Sequence, residues 1–541
     1  MTIAAHSVPA ELIQCWRELG LWEDISLGAA MARAARAHPG ALLHVHAAVG
    51  AREATLAQIH ADGLELAGSF HALGLRAGDV VAMQLPNCLE NAVLFQAVAA
   101  LGATLLPIVH IFGPAELGQI LADSGAKALV VPGRWRSIDF LDRLARLPDL
   151  PALRHTIVIG DTAPQGMLRW ADLPRGDRPD VAIDPGAAAM LLYTSGTSAA
   201  PKGVVHTSRS LLAELNAPLG GKAPGGAWLG PWPSGHIAGS LNILGHALLG
   251  RPMVVLESWD AAAAAELIER FAVEQTSGTP FHLSGLLEAA TAGGHDLSSL
   301  RQFLIGATIV PPSVVAASEA AGIRCCRCYG STELPTLSQC EPDDPLDKRL
   351  NSDGRLNPGC ELRIVDDAGA DLPAGSEGEL AVRGPERFSQ YTDAALNAAS
   401  FLPGGWFLTG DIGRIDADGF LAITDRKKDI IIRGGENISS REVEELLLQM
   451  PGVRDAAAIG WPDDRMGERV CAVLIAEPAA AVTIEAIGEV FRRLGVARYK
   501  TPEKLVFLDE FPRTPSGKVK KADLRRELSA LQGELDRETQ P

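Results

Sequence analysis

The segment LLYTSGTSAAPKGVVHT, residues 191–207, sets the hydroxyls of Thr194, Ser195, Thr197 and Ser198 and the Lys202 ammonium behind an apolar run. Gly196 and Gly203 permit backbone angles that L-residues avoid, so successive N–H groups can converge on an anion. Lys202 adds a point charge suited to polyphosphate. A flexible Ser/Gly turn would carry the same composition. The Walker pattern is not met, because Pro201 precedes the lysine and Gly203 follows it.

Other segments carry side chains with chemical potential. In CYGSTELP, residues 328–335, Glu333 offers a hard oxygen ligand of the kind magnesium takes; a surface turn with an exposed glutamate is the competing reading. Asp411 in TGDIG suits a turn as well as a hydroxyl acceptor. His236 in GHIAGSLNILG, residues 235–245, is either a site residue or a buried core histidine. Cys325, Cys326 and Cys328 form C-C-x-C without the second ligand pair a zinc site needs, so reduced buried thiols leading into a loop are expected.

Taken together and in order, these segments resemble the adenylate-forming superfamily, which includes acyl-CoA synthetases, peptide-synthetase adenylation domains and beetle luciferases. The first loop resembles that family's T-S-G-T-T-G-x-P-K-G phosphate loop, with Ser198 for the second threonine and Ala199 for the last loop glycine. CYGSTELP is similar to its Y-G-x-T-E motif. The resemblance implies that Tyr329 packs near adenine, that Gly330 and Ser331 belong to the nucleotide loop, that Thr332 contacts the α-phosphate and that Glu333 holds Mg²⁺. It assigns Gly306 and Ala307, in a degraded G-G-A-P segment, to the adenine wall, and Asp411 and Arg426 to the ribose. FPRTPSGKVKKADLR, residues 511–525, resembles the P-x-T-x-x-G-K motif, whose lysine, here Lys518, serves adenylation. A positioned cation with Mg²⁺ stabilises charge developing at phosphorus. Lys520 and Lys521 match no role and read as solvated surface charge.

The resemblance further implies an acid first joined to AMP and then passed to coenzyme A. RGGEN, residues 433–437, resembles the lining of the thiol tunnel, through Gly434, Gly435 and Glu436, and Lys428 aligns with the hinge of a mobile C-terminal domain. His236 would border the substrate carboxylate, beside Ile237, Ala238, Gly239 and Leu334. These apolar or small neighbours favour a hydrophobic acid. The leader resembles those of ligases for medium-chain or alicyclic acids and of stand-alone aryl-acid activators, and SGHIAGS in place of the second group's asparagine and S-S-P-G favours an aliphatic or alicyclic acid. The expected cofactors are ATP, Mg²⁺ and coenzyme A. The alternative is a stand-alone aryl- or fatty-acid activator that loads a carrier protein. An α/β-hydrolase is disfavoured because G-x-S-x-G is missing. A non-catalytic homologue would be expected to lose Lys518 or Glu333, and both are present.

The elements that must position these residues follow from periodicity. Helical stretches such as residues 54–74 alternate with short β-rich runs such as VVAMQL, residues 80–85, which predicts an α/β fold of layered, largely parallel sheets. Beyond about residue 355 shorter β-rich pieces predict a subdomain, and residues 428–541 read as a small α+β domain, mobile by the family resemblance, following an N-terminal domain of residues 1–427. Ser439 or Ser440 is placed to cap a helix over residues 441–450. A 541-residue chain exceeds one core. Its net charge of −17 argues against a nucleic-acid partner. No stretch reaches 18 apolar residues and no secretory leader is evident, so a cytoplasmic protein is expected. The family's members are monomers and dimers, which makes a homodimer compatible.

Overall fold

The computed structural model describes residues 8–48, 50–177, 180–194, 201–217, 226–308, 310–434, 436–463, 465–477, 482–513 and 518–528. The chain forms two compact units, Met1–Glu361 with Val382–Phe407, and Leu362–Ala381 with Leu408–Pro541. The α/β class predicted from the sequence is the one observed. The expected boundary at residues 427 and 428 lies inside the second unit.

The first unit contains two large sheets. In the nine-stranded sheet, Leu42–His46, Met253–Leu256, Ala227–Gly230, Val273–Gly278, Gln302–Ile305 and Arg324–Tyr329 are parallel neighbours in that order. In the eight-stranded sheet the parallel set runs from Ala188–Thr194 through Thr104–Pro107, Val80–Met83 and Ala128–Pro132 to His155–Ile159. Helix Leu89–Leu101 is apolar on nearly every side, the pattern of a helix enclosed by protein, and it is mostly buried. It packs on helix Leu56–Ala72, where a Cβ at Gly63 would fall 2.3 Å from the Gln96 Cβ, so only glycine lets the two approach so closely. Thr55 begins that second helix through a capping box with Gln58.

Strand Trp406–Ile415, which enters the second unit at Leu408, and strand Leu421–Arg426 form an antiparallel pair that sets Asp411 opposite Arg426. Ser439 caps helix Ser440–Leu447, its hydroxyl accepting the Glu442 N–H. This helix and Ile484–Arg493 cover a sheet containing Val453–Asp463 and Gly467–Ala476, around Val443, Leu447, Leu474, Ile487 and Phe491. Among the described residues no helix is long and apolar enough to cross a membrane.

Candidate active site

In sheets of parallel strands, ligands bind at the carboxyl ends. Gln302–Ile305 and Arg324–Tyr329 end side by side, with Ile305 opposite Arg327, and release the loops that carry Gly306–Ala307 and Gly330–Glu333. A Cβ on Gly306 would fall 2.7 Å from the Cys328 carbonyl oxygen, so glycine is required for this approach. Ala307 has φ of +67°, a conformation that costs an L-residue about 1–2 kcal/mol. Strain of this kind concentrates at functional sites. Cys325 and Cys326 are buried in the preceding strand as free thiols, and burial pushes Cys326 up to about 12. Cys328, at the end of the same strand, is a half-buried free thiol.

The second loop is fixed from several directions. A Cβ on Gly330 would fall 1.8 Å from the Pro335 carbonyl oxygen. The Ser331 N–H donates to Leu334 O at 2.8 Å. His206 Nε2 lies 2.8 Å from Thr332 O. A carbonyl can only accept, so Nε2 carries the proton and Nδ1 takes the Ser210 hydroxyl at 3.2 Å. Burial lowers the His206 pKa to about 4, which keeps the ring neutral. The Thr336 hydroxyl donates to buried Glu214 at 2.6 Å.

Glu333 is held at both ends. Its carbonyl accepts the Phe388 N–H at 2.7 Å, and its Oε1 accepts the Tyr391 hydroxyl at 2.8 Å. Burial first, then the Glu333 charge, pushes the Tyr391 phenol well above its ordinary range, so it remains a donor. Lys202 Nζ stands 5.7 Å from the centre of the same ring. Lys202 pairs with Thr194 in the antiparallel ladder of Ala188–Thr194 and Lys202–Thr207. The phosphate-loop candidate is therefore flanked by two antiparallel strands, whereas a Walker loop leads into a helix. Ser195, Gly196, Thr197 and Ser198 lie outside the described residues.

His236 stands at the N-cap of helix Ile237–Leu249, and its N–H donates to Pro233 O at 3.0 Å. The preceding loop is set by a buried polar network. Asn87 donates to Trp232 O and Leu256 O at 2.9 and 3.0 Å and accepts the Ser234 N–H at 3.0 Å. Asn91 donates to the Ser234 hydroxyl at 2.7 Å. A satisfied network of this kind rigidifies the segment it holds.

The second unit carries the remaining candidates. Asp411 and Arg426 face each other at 3.4 Å. Gly410 donates its N–H to Glu379, which also takes Lys427 Nζ at 2.8 Å. Lys428 is exposed in the turn that follows. Gly434 has φ of +60° and donates to Met466 O at 2.7 Å, and Glu436 is exposed on strand Glu436–Ile438. Gly435 lies outside the described residues. Lys518 is part-buried beside the bridge between Arg513 and Val519. Lys521 departs from the surface reading, because its ammonium is 2.6 Å from Glu444, a carboxylate only 4% exposed.

His206, Glu214, Asn87 and Tyr391 were not singled out in the sequence. Their partners are remote, and only the scarcity of tyrosine, four in the chain, marks Tyr391. Glu333 fits magnesium: Tyr391 occupies one oxygen and leaves a second, hard donor. Among the described residues no three His, Cys, Asp or Glu side chains gather into a metal cage. A single carboxylate suits an ion held mostly by phosphates and water.

The family model described as AMP-binding enzyme matches residues 31–392, and that of the AMP-binding enzyme C-terminal domain matches residues 442–518. A medium-chain fatty-acid–CoA ligase from Escherichia coli is 36% identical, the alignment covering 95% of this chain and 92% of the relative. An indoleacetate–CoA ligase from Aromatoleum aromaticum is 35% identical over 88% of this chain and 93% of its own. The solved o-succinylbenzoate coenzyme A synthetase of Bacillus subtilis, in complex with ATP and magnesium ion, superposes with a TM-score of 0.79 at 27% identity. That match covers 92% of this chain and 99% of the other.

Proposed function

The chain belongs to the AMP-binding enzyme family, and from that premise we propose that it is an AMP-forming acyl-CoA ligase for a medium-chain aliphatic or alicyclic acid. The single observation that carries this reading is the chain of contacts from Lys202 through Tyr391 to Glu333. It gathers a cation and a metal-competent carboxylate beside loops released from adjacent parallel strands.

In this reading the substrate carboxylate attacks the α-phosphorus of ATP. The new bond is P–O to the acid, the bond broken is P–O to the β-phosphate, and pyrophosphate leaves. Thr332 contacts the α-phosphate, and Lys202 with the hydroxyls and amides of residues 194–198 holds the polyphosphate. Asp411 and Arg426 bind ribose, and Lys518 offsets the charge that grows at phosphorus. Glu333 would hold magnesium, whose charge would offset that of the phosphates. In the second half-reaction the coenzyme A thiolate attacks the acyl carbonyl and AMP departs, with Gly434, Gly435 and Glu436 along the thiol's path.

The acid class is supported by the apolar or small residues Ile237, Ala238 and Gly239 that follow His236, by Leu334 that follows Glu333, and by the name of the Escherichia coli relative. The setting is the cytoplasm, where ATP and coenzyme A are supplied.

The test is ATP-dependent pyrophosphate release across a panel of carboxylic acids, with and without coenzyme A, for wild type and Lys518→Ala. The expected result is turnover with one hydrophobic acid class, raised by coenzyme A and abolished in the variant. Release indifferent to coenzyme A would transfer the product to another acceptor. No release with any acid would overturn the ligase reading.

A further inference from the structure

Three residues beyond Lys518 begins the last described helix, residues 521–528. Its apolar face, Leu524 and Leu528, is buried with Ala457, Ile459, Val473 and Phe511. Two cations four residues apart, and hence on one face of the helix, reach elsewhere. Lys521 Nζ is 2.6 Å from Glu444 Oε1 and 2.7 Å from the Ser440 hydroxyl. Arg525 Nη2 is 3.1 Å from Asp429 Oδ1.

These contacts extend into the segment that precedes the C-terminal sheet. The Ser440 hydroxyl accepts from Lys521 and donates to Asp425 Oδ1 at 3.1 Å, while the Ser440 N–H donates to Asp425 Oδ2 at 2.5 Å. Glu444 also accepts the Ala458 N–H at 2.7 Å. Ser440, Glu444, Asp425 and Asp429 are all more than nine-tenths buried. The base of the loop bearing Lys518 is closed by the bridge between Arg513 and Val519, by an ion pair of Arg513 with Asp455, and by the Lys520 N–H donating to Pro512 O at 2.7 Å.

A lysine is ordinarily left in water because holding its long side chain costs rotamer entropy. One part-buried against a buried carboxylate and a buried hydroxyl is an anchor, and removing its charge would leave the buried carboxylate unpaired. The anchor lies three residues from Lys518, at the point where the loop becomes helix. Its far end is the segment around residue 428.

We propose that Lys521, with Arg525, is a positioning residue for Lys518: it pins the start of the last helix to Ser440, Glu444 and Asp425 and so sets where Lys518 stands during adenylation. The inference rests on the adenylation role proposed for Lys518. Lys521 itself touches no substrate in this account.

The experiment separates the half-reactions. Acyl-adenylate formation is followed by pyrophosphate release, thioester formation is followed from supplied acyl-adenylate and coenzyme A, and Tm is recorded for each protein. Lys521→Met should lower kcat for adenylation by about 10²-fold, the scale of a 1 Å misplacement, with KM for ATP little changed and thioester formation retained. Lys521→Arg, which keeps the charge and can reach the same acceptors, should restore most of the rate. Should Lys521→Met not fold, Ser440→Ala decides: it removes one hydroxyl and should give a smaller loss confined to adenylation. Parallel loss of both half-reactions with falling Tm, or unchanged adenylation in a folded variant, would overturn the proposal. Equal adenylation by wild type and Lys518→Ala would instead overturn the Lys518 role, and this inference with it.

Discussion

The Tyr391 hydroxyl donates to Glu333 Oε1 at 2.8 Å, across 58 positions of sequence. Glu333 comes from the loop after strand Arg324–Tyr329 and Tyr391 from the short strand Gln390–Tyr391 paired with Lys202–Thr207, and the Phe388 N–H fixes the Glu333 backbone three residues before the tyrosine. The carboxylate proposed for magnesium is thus aimed by a neighbour that the motif itself does not contain.

Tyr391→Phe removes that hydroxyl and keeps the ring. A hydrogen bond to a charged group contributes about 1.5–3 kcal/mol, so the Mg²⁺ concentration for half-maximal pyrophosphate release should rise roughly tenfold or more. The measurement is initial rate against Mg²⁺ at saturating ATP and acid. An unchanged Mg²⁺ profile would separate Tyr391 from the metal site.

The second prediction concerns two buried acids. Glu214 accepts from Thr336, and the Cys360 thiol donates to Glu386 at 2.9 Å. Burial raises their pKa values to about 8 and about 7, against an ordinary 4.5. A folded state that keeps protons which the unfolded chain releases loses stability as pH rises between those values. Stability from these groups is therefore full below about pH 4.5 and is lost toward pH 8. Glu386→Gln should be more stable than wild type by about 2–3 kcal/mol at pH 8, with the difference closing near pH 5. Denaturant midpoints at both pH values would check it, and a gap independent of pH would count against it.

His206 gives the opposite slope. Its pKa is lowered to about 4 from 6.5 by burial, so the unfolded chain binds the extra proton in that window. Stability from this group is present above about pH 6.5 and is lost as pH falls toward 4. His206→Phe should abolish that component. It also leaves the Thr332 carbonyl without its donor, at about 1–3 kcal/mol, and should slow adenylation. Thermal melts from pH 4 to 7, compared with wild type, carry both readings.

Much of the fold is legible in the chain because its signals are local. Thr55 with Gln58 and Ser439 with Glu442 write helix starts into adjacent residues. The unbroken apolar pattern of Leu89–Leu101 announces its burial. The motif residues Gly330 and Gly306 are legible for the same reason, since each is demanded by backbone approach. What supports them is not local. His206 meets Thr332 across 126 positions, and Thr336 meets Glu214 across 122. Lys521 reads as surface charge until Ser440 and Glu444 are brought beneath it. The division into units is equally remote, because Glu379 binds Gly410 and Lys427 and draws residues 362–381 to the later chain.

The last prediction addresses the turn at Lys428. This residue is exposed between Lys427, held to Glu379, and Asp429, held to Arg525. An exposed turn is where backbone rotation can be absorbed, as in hinges, and the Ser440 contacts with Asp425 that join its two sides must open for it to rotate. Proline fixes φ near −65° and removes the N–H. If the two half-reactions need different settings of this turn, Lys428→Pro should leave acyl-adenylate formation near wild type while thioester formation from supplied adenylate falls by at least about 10²-fold. Both rates are read in the same preparation, so misfolding would appear as loss of both. Equal loss in the two half-reactions, with Tm unchanged, would remove Lys428 from the hinge.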